Sequence, residues 1–293
     1  MATWNELLNE ISNATNQYDF VRRKYLNGLA EYRGRNVIAY YSSFLHKRNV
    51  DTSINDLDMQ AFMATIHSLD RSKGLDLILH TPGGGIAATE AIVNYLRTMF
   101  DGDIEAFVPQ IAMSAGTMIA CAANAIFMGK HSSLGPIDPQ LGGIAAKGVI
   151  EEFNRAKKEI ASDQGSFLVW KTLLEKYHPS FIDQCQKSID WSEKTTKSWL
   201  ASGMFKSLGN AEEKAQQIVD FLSSRHDHFV HERHINIEEC ITSGLKVKRL
   251  EEDGELQNHV LTVHHAYMHT LQSSNAAKIV ENQKGVALIT AIK

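Results

Sequence analysis

Two strand–turn–helix units, one directly after the other, restrict this 293-residue chain more than any other feature. Residues 75–81, LDLILHT, are a short apolar run with a β-branched residue and a glycine-rich exit, which predicts a buried parallel strand. PGGG at 82–85 is the turn, and AATEAIVNYLRTM at 87–99 is an amphipathic helix. IEAFVPQ at 104–110 is the next strand, and SAGTMIACAANAI at 114–126 is a helix packed with small residues. A strand followed by a helix, repeated within about 50 residues, indicates parallel α/β layering.

The flanking segments are assigned in the same way. Residues 3–31 form a helical arm, with Leu7, Leu8 and Ile11 spaced for one face and Leu26 and Leu29 for another; it packs on the body or on a partner. RNVIAYYSSFL at 35–45 is a β-rich run, and INDLDMQAFMATIHSL is a helix opened by Asn55 or Asp56. After HSSLGPIDPQLGG the chain is mostly helical to about residue 223. HDHFVHERHINIEECITSGLKVKRL is loop, short helix and strand, and LQNHVLTVHHAYMHTLQSS is a helix. The domain division expected is an arm at 1–34, a core at 35–225 and a helix/strand extension of the same domain at 226–293.

A hydrophobic content of 43% supports a sizeable core. A net charge of -4 and the lack of a long basic run give a nucleic-acid role no electrostatic support. Cys121, Cys185 and Cys240 are far apart and in no ligand spacing, which suits a reducing compartment and neither a disulfide framework nor a zinc site. The N-terminus lacks a basic region followed by an apolar one, so no signal peptide is expected. The longest weakly polar stretch, 111–128, holds Ser114, Thr117 and Asn124 and suits a buried helix better than a membrane span. The expected location is cytoplasmic, with peripheral membrane association left open. No GxxxxGK[ST] pattern occurs, so no ATPase and no cofactor is expected.

Chemistry concentrates at the two strand exits. A glycine run such as Gly83–Gly85 lets N–H groups approach a bound atom with no Cβ in the way, and can hold a developing oxyanion; it can equally be a tight turn. Ser114 lies at a strand-to-helix junction, followed by Ala115 and Gly116, where it can be a nucleophile or a simple N-cap. The pair says more than either part. Two exits about 30 residues apart lie side by side at the C-terminal edge of one sheet, where α/β folds place ligands.

LILHTPGGG followed by MSAGTMIA resembles the Clp-protease/crotonase superfamily, an α/β fold with a superhelical ββα core. HSSLGPIDPQLGG, EEFNRAKKEI and LEEDGELQNHVLTVHHAYM resemble the serine dehydrogenase proteinase family, related to the signal peptide peptidase A serine proteases. The resemblance spans roughly residues 70–285. It implies that core with the N-terminal helical arm and a largely helical C-terminal part, and a serine-type endopeptidase. Ser114 is then the nucleophile, with an oxyanion hole from an N–H in Gly83–Gly85 and the N–H of Ala115. It also implies a homo-oligomer and a peptide or protein substrate.

The activating base is less defined. Clp peptidases use His and Asp, but matching their PLGG to QLGG at 140–143 puts Asp138 at the histidine position. Asp138 is a weak base toward a serine and can instead form an Asx-turn, orient a base or line the groove. The signal peptide peptidase A group uses a Ser–Lys dyad, with the lysine about 40–50 residues after the serine. Lys157 and Lys158 fall in that range and Lys147 is nearer. Lys157 is preferred because Phe153 and Ile160 place it near an apolar face. Histidine is the rival, with His131 and His231 the better candidates from a set that includes His226, His228, His234, His264, His265 and His269. His265 and His269 are i, i+4, but no glutamate or cysteine completes a metal pattern. Two other functions remain: a scaffold of the same fold without a working base, and a crotonase-like acyl-CoA enzyme, which needs no serine at position 114.

Overall fold

The computed structural model describes residues 4–13, 17–223 and 233–292. The strands are β1 (Asn36–Ser42), β2 (Leu75–His80), β3 (Ile104–Val108), β4 (Ile111–Ala112), β5 (Ile126–Met128), β6 (Ser133–Leu134), β7 (Gln140–Leu141), β8 (Ile144–Ala145), β9 (Ile235–Asn236), β10 (Val247–Arg249), β11 (Ala276–Asn282) and β12 (Ala287–Ala291). The helices are α1 (Trp4–Asn13), α2 (Gln17–Arg33), α3 (Leu57–Ile66), α4 (Ile86–Met99), α5 (Ala115–Cys121), α6 (Ala146–Ser162), α7 (Ser166–Leu174), α8 (Phe181–Ser202), α9 (Ala211–Ser223), α10 (Ile237–Ser243) and α11 (Gly254–Ser273).

The central sheet has the order β10-β5-β3-β2-β1-β11-β12. β1, β2, β3, β5 and β10 run parallel, and β11 and β12 close one side antiparallel. Each parallel strand is added on the same side of the last, so the chain advances like a screw and does not double back. With right-handed crossovers, such an advance puts α3, α4 and α5 on one face. Leu75, Leu77 and Leu79 point to that face and join one large core with Phe62, Ile92 and Met118. Val37, Ala39, Tyr41, Ile78, Phe107 and Phe127 point the other way, where α2 and α11 cover them with Leu26, Leu29, Val260 and Tyr267.

Charged groups fasten this second layer. Glu281 on β11 is fully buried and accepts from Arg22 Nε at 2.9 Å, Arg23 Nε at 2.8 Å and the Tyr267 hydroxyl at 2.9 Å. Burial works against the charge on Arg22, but Glu281 and Tyr267 outweigh it and raise its pKa. Asp76 on β2, also fully buried, accepts from Arg33 at 2.7 Å and Arg35 at 2.6 Å. Networks satisfied on every atom tolerate burial; half-satisfied ones do not.

Several elements depart from expectation. The arm, expected to be helical and to pack on the body or on a partner, is two helices, of which α2 packs on the body as part of the layer over the sheet. The helix expected over 114–126 stops at Cys121. Asn124 ends it by donating its N–H to the Ile104 carbonyl at 2.8 Å and its side-chain amide to the Gly102 carbonyl at 2.9 Å. Ile126 then starts β5 beside β3. The C-terminal part supplies the expected α11 and β10 and, beyond the expectation, β11 and β12 of the main sheet.

Between α11 and the sheet lie His80 and His264, packed on Tyr41 with ring centroids 5.5 and 5.8 Å away. Burial, helped by His46, lowers the His80 pKa to about 3. Burial also holds His264 well below its usual value, with His80, His265 and His131 adding to the effect. Both imidazoles are thus neutral when folded and protonate near pH 6.5 when unfolded. Their contribution is fully present above about pH 6.5 and is lost as pH falls toward the folded values, at roughly 1.4 kcal/mol per unit for each. The stability lost between pH 7.5 and pH 5, measured by denaturant unfolding, should be smaller in His80→Phe than in the wild type by about 2 kcal/mol. Equal losses in both proteins would show that His80 is not held neutral.

Candidate active site

The exits of β2 and β3 are joined by backbone hydrogen bonds. Thr81 donates its N–H to Ile111 at 3.1 Å and its carbonyl accepts from Met113 at 3.0 Å, so the two exits lie side by side. Gly83 follows with φ +97°, and a Cβ there would stand 2.8 Å from Ser114 Cβ, 2.7 Å from the Met113 carbonyl and 3.0 Å from the Ala115 nitrogen. No side chain fits, so glycine is required for this approach. Gly84 is equally constrained: a Cβ would lie 2.2 Å from the Ile54 nitrogen. Gly116 meets Thr81 in the same way, at 2.6 Å.

Ser114 holds φ 49° and ψ -114°, a conformation that L residues avoid. It sits at the N-cap position of α5, yet its side chain makes no capping bond. A serine serving as an ordinary N-cap has an extended backbone and gives its oxygen to the helix; Ser114 does neither. The strain is held by its surroundings. Gly116 donates to the Met113 carbonyl at 2.7 Å, and the Thr117 hydroxyl joins Ala112 at 2.8 Å and Gly135 at 3.0 Å.

The glycine run is not three equal donors. The Gly83 N–H is directed to Thr81 Oγ1 at 3.1 Å and that of Gly85 to the Ile54 carbonyl at 2.9 Å. Among the described residues, the N–H groups of Gly84 and Ala115 have no acceptor in the protein.

The candidate bases are spread out. Lys157 and Lys158 are exposed on α6, whose buried residues are Ala146, Val149 and Ala156, and neither makes an ion pair among the described residues. Lys147, in the first turn of the same helix, is largely buried. Its Nζ lies 2.6 Å from Glu193 Oε1 and 3.1 Å from the Ser223 carbonyl. The start of α6 is tied to the Asp138 segment, because Ala146 donates to the Pro139 carbonyl at 2.9 Å. That segment is tied in turn to the body: Ser192 Oγ donates to the Ile137 carbonyl at 2.8 Å and lies 3.7 Å from Met118 of α5. Asp138 itself is half-buried. His131 is exposed and packs over Gly129 toward Glu251, His264 and His265. His234 pairs with Ser133 on β6 at 2.7 Å. His226, His228 and His231 lie outside the described residues. His264 and His269 are buried side chains of α11. A cavity of about 710 Å³ lies between Phe221, Asn236 and Thr242 and shares no residue with the two exits.

A description of ClpP-like SDH-type serine proteinases matches residues 15–281. The chain belongs to that family. It is 28% identical over 239 residues to the uncharacterized protein MJ0137 of Methanocaldococcus jannaschii, covering 79% of this chain and 74% of that one. It is 37% identical over 112 residues to the uncharacterized protein MJ1495 of the same organism, 38% of each chain. A mutant of a membrane-bound stomatin-specific protease superposes at TM-score 0.39 and 17% identity, over 71% of this chain and 79% of that one. Among the described residues, no helix of this family member is long and apolar enough to cross a membrane.

The positive φ of Ser114 carries a measurable cost. Glycine adopts that conformation freely, so Ser114→Gly should raise stability by about 1–2 kcal/mol while Ser114→Ala does not. Denaturant unfolding of the two variants checks this; a Ser114→Gly protein no more stable than wild type would show that the backbone there is relaxed.

Proposed function

We propose that this proteinase cleaves peptide bonds through an acyl-enzyme on Ser114. The observation that carries the reading is the strained Ser114, its hydroxyl without a hydrogen bond among the described residues, beside two N–H groups that the protein leaves unused. Ser114 Oγ attacks the scissile carbonyl carbon and its proton passes to a base. The carbonyl oxygen becomes an oxyanion, held by the N–H groups of Gly84 and Ala115. The C–N bond then breaks, the amine leaves with the proton from the base, and water hydrolyses the ester by the same route in reverse. The peptide lies extended beside Gly84 and Gly85, adding a strand to that edge.

For the base we infer a Ser–Lys dyad that uses Lys147 in place of the lysines further along α6. Lys147 is the lysine attached to the segment that follows β6, whereas Lys157 and Lys158 face solvent. Solvated lysines keep their proton; a base must lose it. Lys147 Nζ is engaged with Glu193 at 2.6 Å, so that contact must open before the amine can reach Ser114.

Labelling with a fluorophosphonate serine-hydrolase probe tests the reading. Wild type should label and Ser114→Ala should not. Lys147→Met should slow labelling by about 10²–10⁴-fold, the usual share of a general base, while Lys157→Ala should leave it within about twofold. Slow labelling in Lys157→Ala with normal labelling in Lys147→Met would reassign the base. A folded wild type that does not label would favour a non-catalytic scaffold.

A further inference from the structure

The Gly83–Gly85 loop is supported from outside by residue 54. Ile54 donates its N–H to the Gly83 carbonyl at 2.8 Å and accepts from the Gly85 N–H at 2.9 Å, so the peptide between those contacts carries the Gly84 N–H. Ile54 belongs to no strand. It lies in the loop between β1 and α3, and something must hold that loop still.

A buried charge pair does so. Lys278 on β11 and Asp58 on α3 have side chains 3% exposed, with Nζ 2.8 Å from Asp58 Oδ1. Lys278 Nζ also donates to the Ser53 carbonyl at 3.0 Å. Asp58 Oδ2 accepts the Asn55 N–H at 2.9 Å and the Tyr40 hydroxyl at 3.0 Å. The residues on both sides of Ile54 are therefore tied to one ion pair. Stability alone is a poor reason for such a pair, because well-packed apolar residues often replace one at no loss. Charge-assisted bonds to backbone atoms instead fix a loop in one geometry.

We propose that Lys278, with Asp58, is a positioning residue for the oxyanion loop: the pair fixes residues 53–55, these fix Gly83–Gly85, and the Gly84 N–H is thereby set toward Ser114. The proposal rests on the reading of Ser114 and Gly84 given above. It assigns a catalytic consequence to two residues that touch no substrate.

The test uses the full chain and a fluorophosphonate–rhodamine probe, with the inactivation rate constant and the binding constant resolved separately and the melting temperature recorded. The variant Lys278→Met/Asp58→Leu/Tyr40→Phe removes both charges and the Tyr40 hydroxyl together, and so releases the Ser53 carbonyl and the Asn55 N–H from the pair. Its inactivation rate constant should fall at least about tenfold, with probe binding within about twofold, since misplacing an oxyanion donor affects the reacting state. Arg22→Met breaks a buried ion pair on the opposite face of the sheet; it should lower the melting temperature and leave the rate constant unchanged. If the apolar variant does not fold, Lys278→Gln/Asp58→Asn is judged by the same criteria. A folded variant that reacts at the wild-type rate overturns the proposal, as does an equal slowing in Arg22→Met. Failure of the wild type to label would instead sink the reading of Ser114 on which it rests.

Discussion

The one-way advance of the sheet governs the rest of this structure. Because each parallel strand is added on the same side, the crossover helices collect on one face. The opposite face, with Tyr41, Phe107 and Phe127, is then left without a cover from the repeating unit. Helices from near the two ends of the described chain supply it, and α2 and α11 are held there by Glu281 and Asp76 with their arginines. The helical arm and the C-terminal helix are in this sense parts of the core. The same geometry brings the exits of β2 and β3 together, and every feature of the candidate site follows from that meeting.

Functional strain and structural order are closely coupled at that meeting point. Gly83, Gly84 and Gly116 are required by contact with Ser114, Ile54 and Thr81, each within 3 Å of a hypothetical Cβ. Such contacts leave the backbone little freedom, which is how a serine can be kept at φ 49°. The hydroxyl is thereby kept from the capping role that its position offers.

The parts legible in the sequence were those written in local signals. Apolar runs located β2 and β3, glycines and small residues marked their exits, and spacing located α4 to within a residue. Distant partners were not legible. Lys278 and Asp58 stand 220 residues apart, and neither has a neighbour that announces the other. β11, AAKIVEN, carries lysine, glutamate and asparagine at buried positions, so it lacks the apolar pattern of a central strand. Its pairing with β1 supplies what the pattern does not. Lys157 illustrates the limit from the other side: Phe153 and Ile160 place it near an apolar face by spacing, and Phe153 does pack on Val149, yet Lys157 itself is exposed. Amphipathic spacing tells which residues share a face, not how deeply that face is covered.

The place of Lys278 in the chain also has a bearing on timing. During synthesis the Ser114 elbow and the glycine loop emerge early, whereas β11 leaves the ribosome after all of the preceding helices. A loop braced from β11 acquires its final geometry late, when a strand near residue 280 inserts beside one near residue 40. Until β11 is in place, residues 53–55 lack the Lys278 contacts that hold them beside Gly83–Gly85.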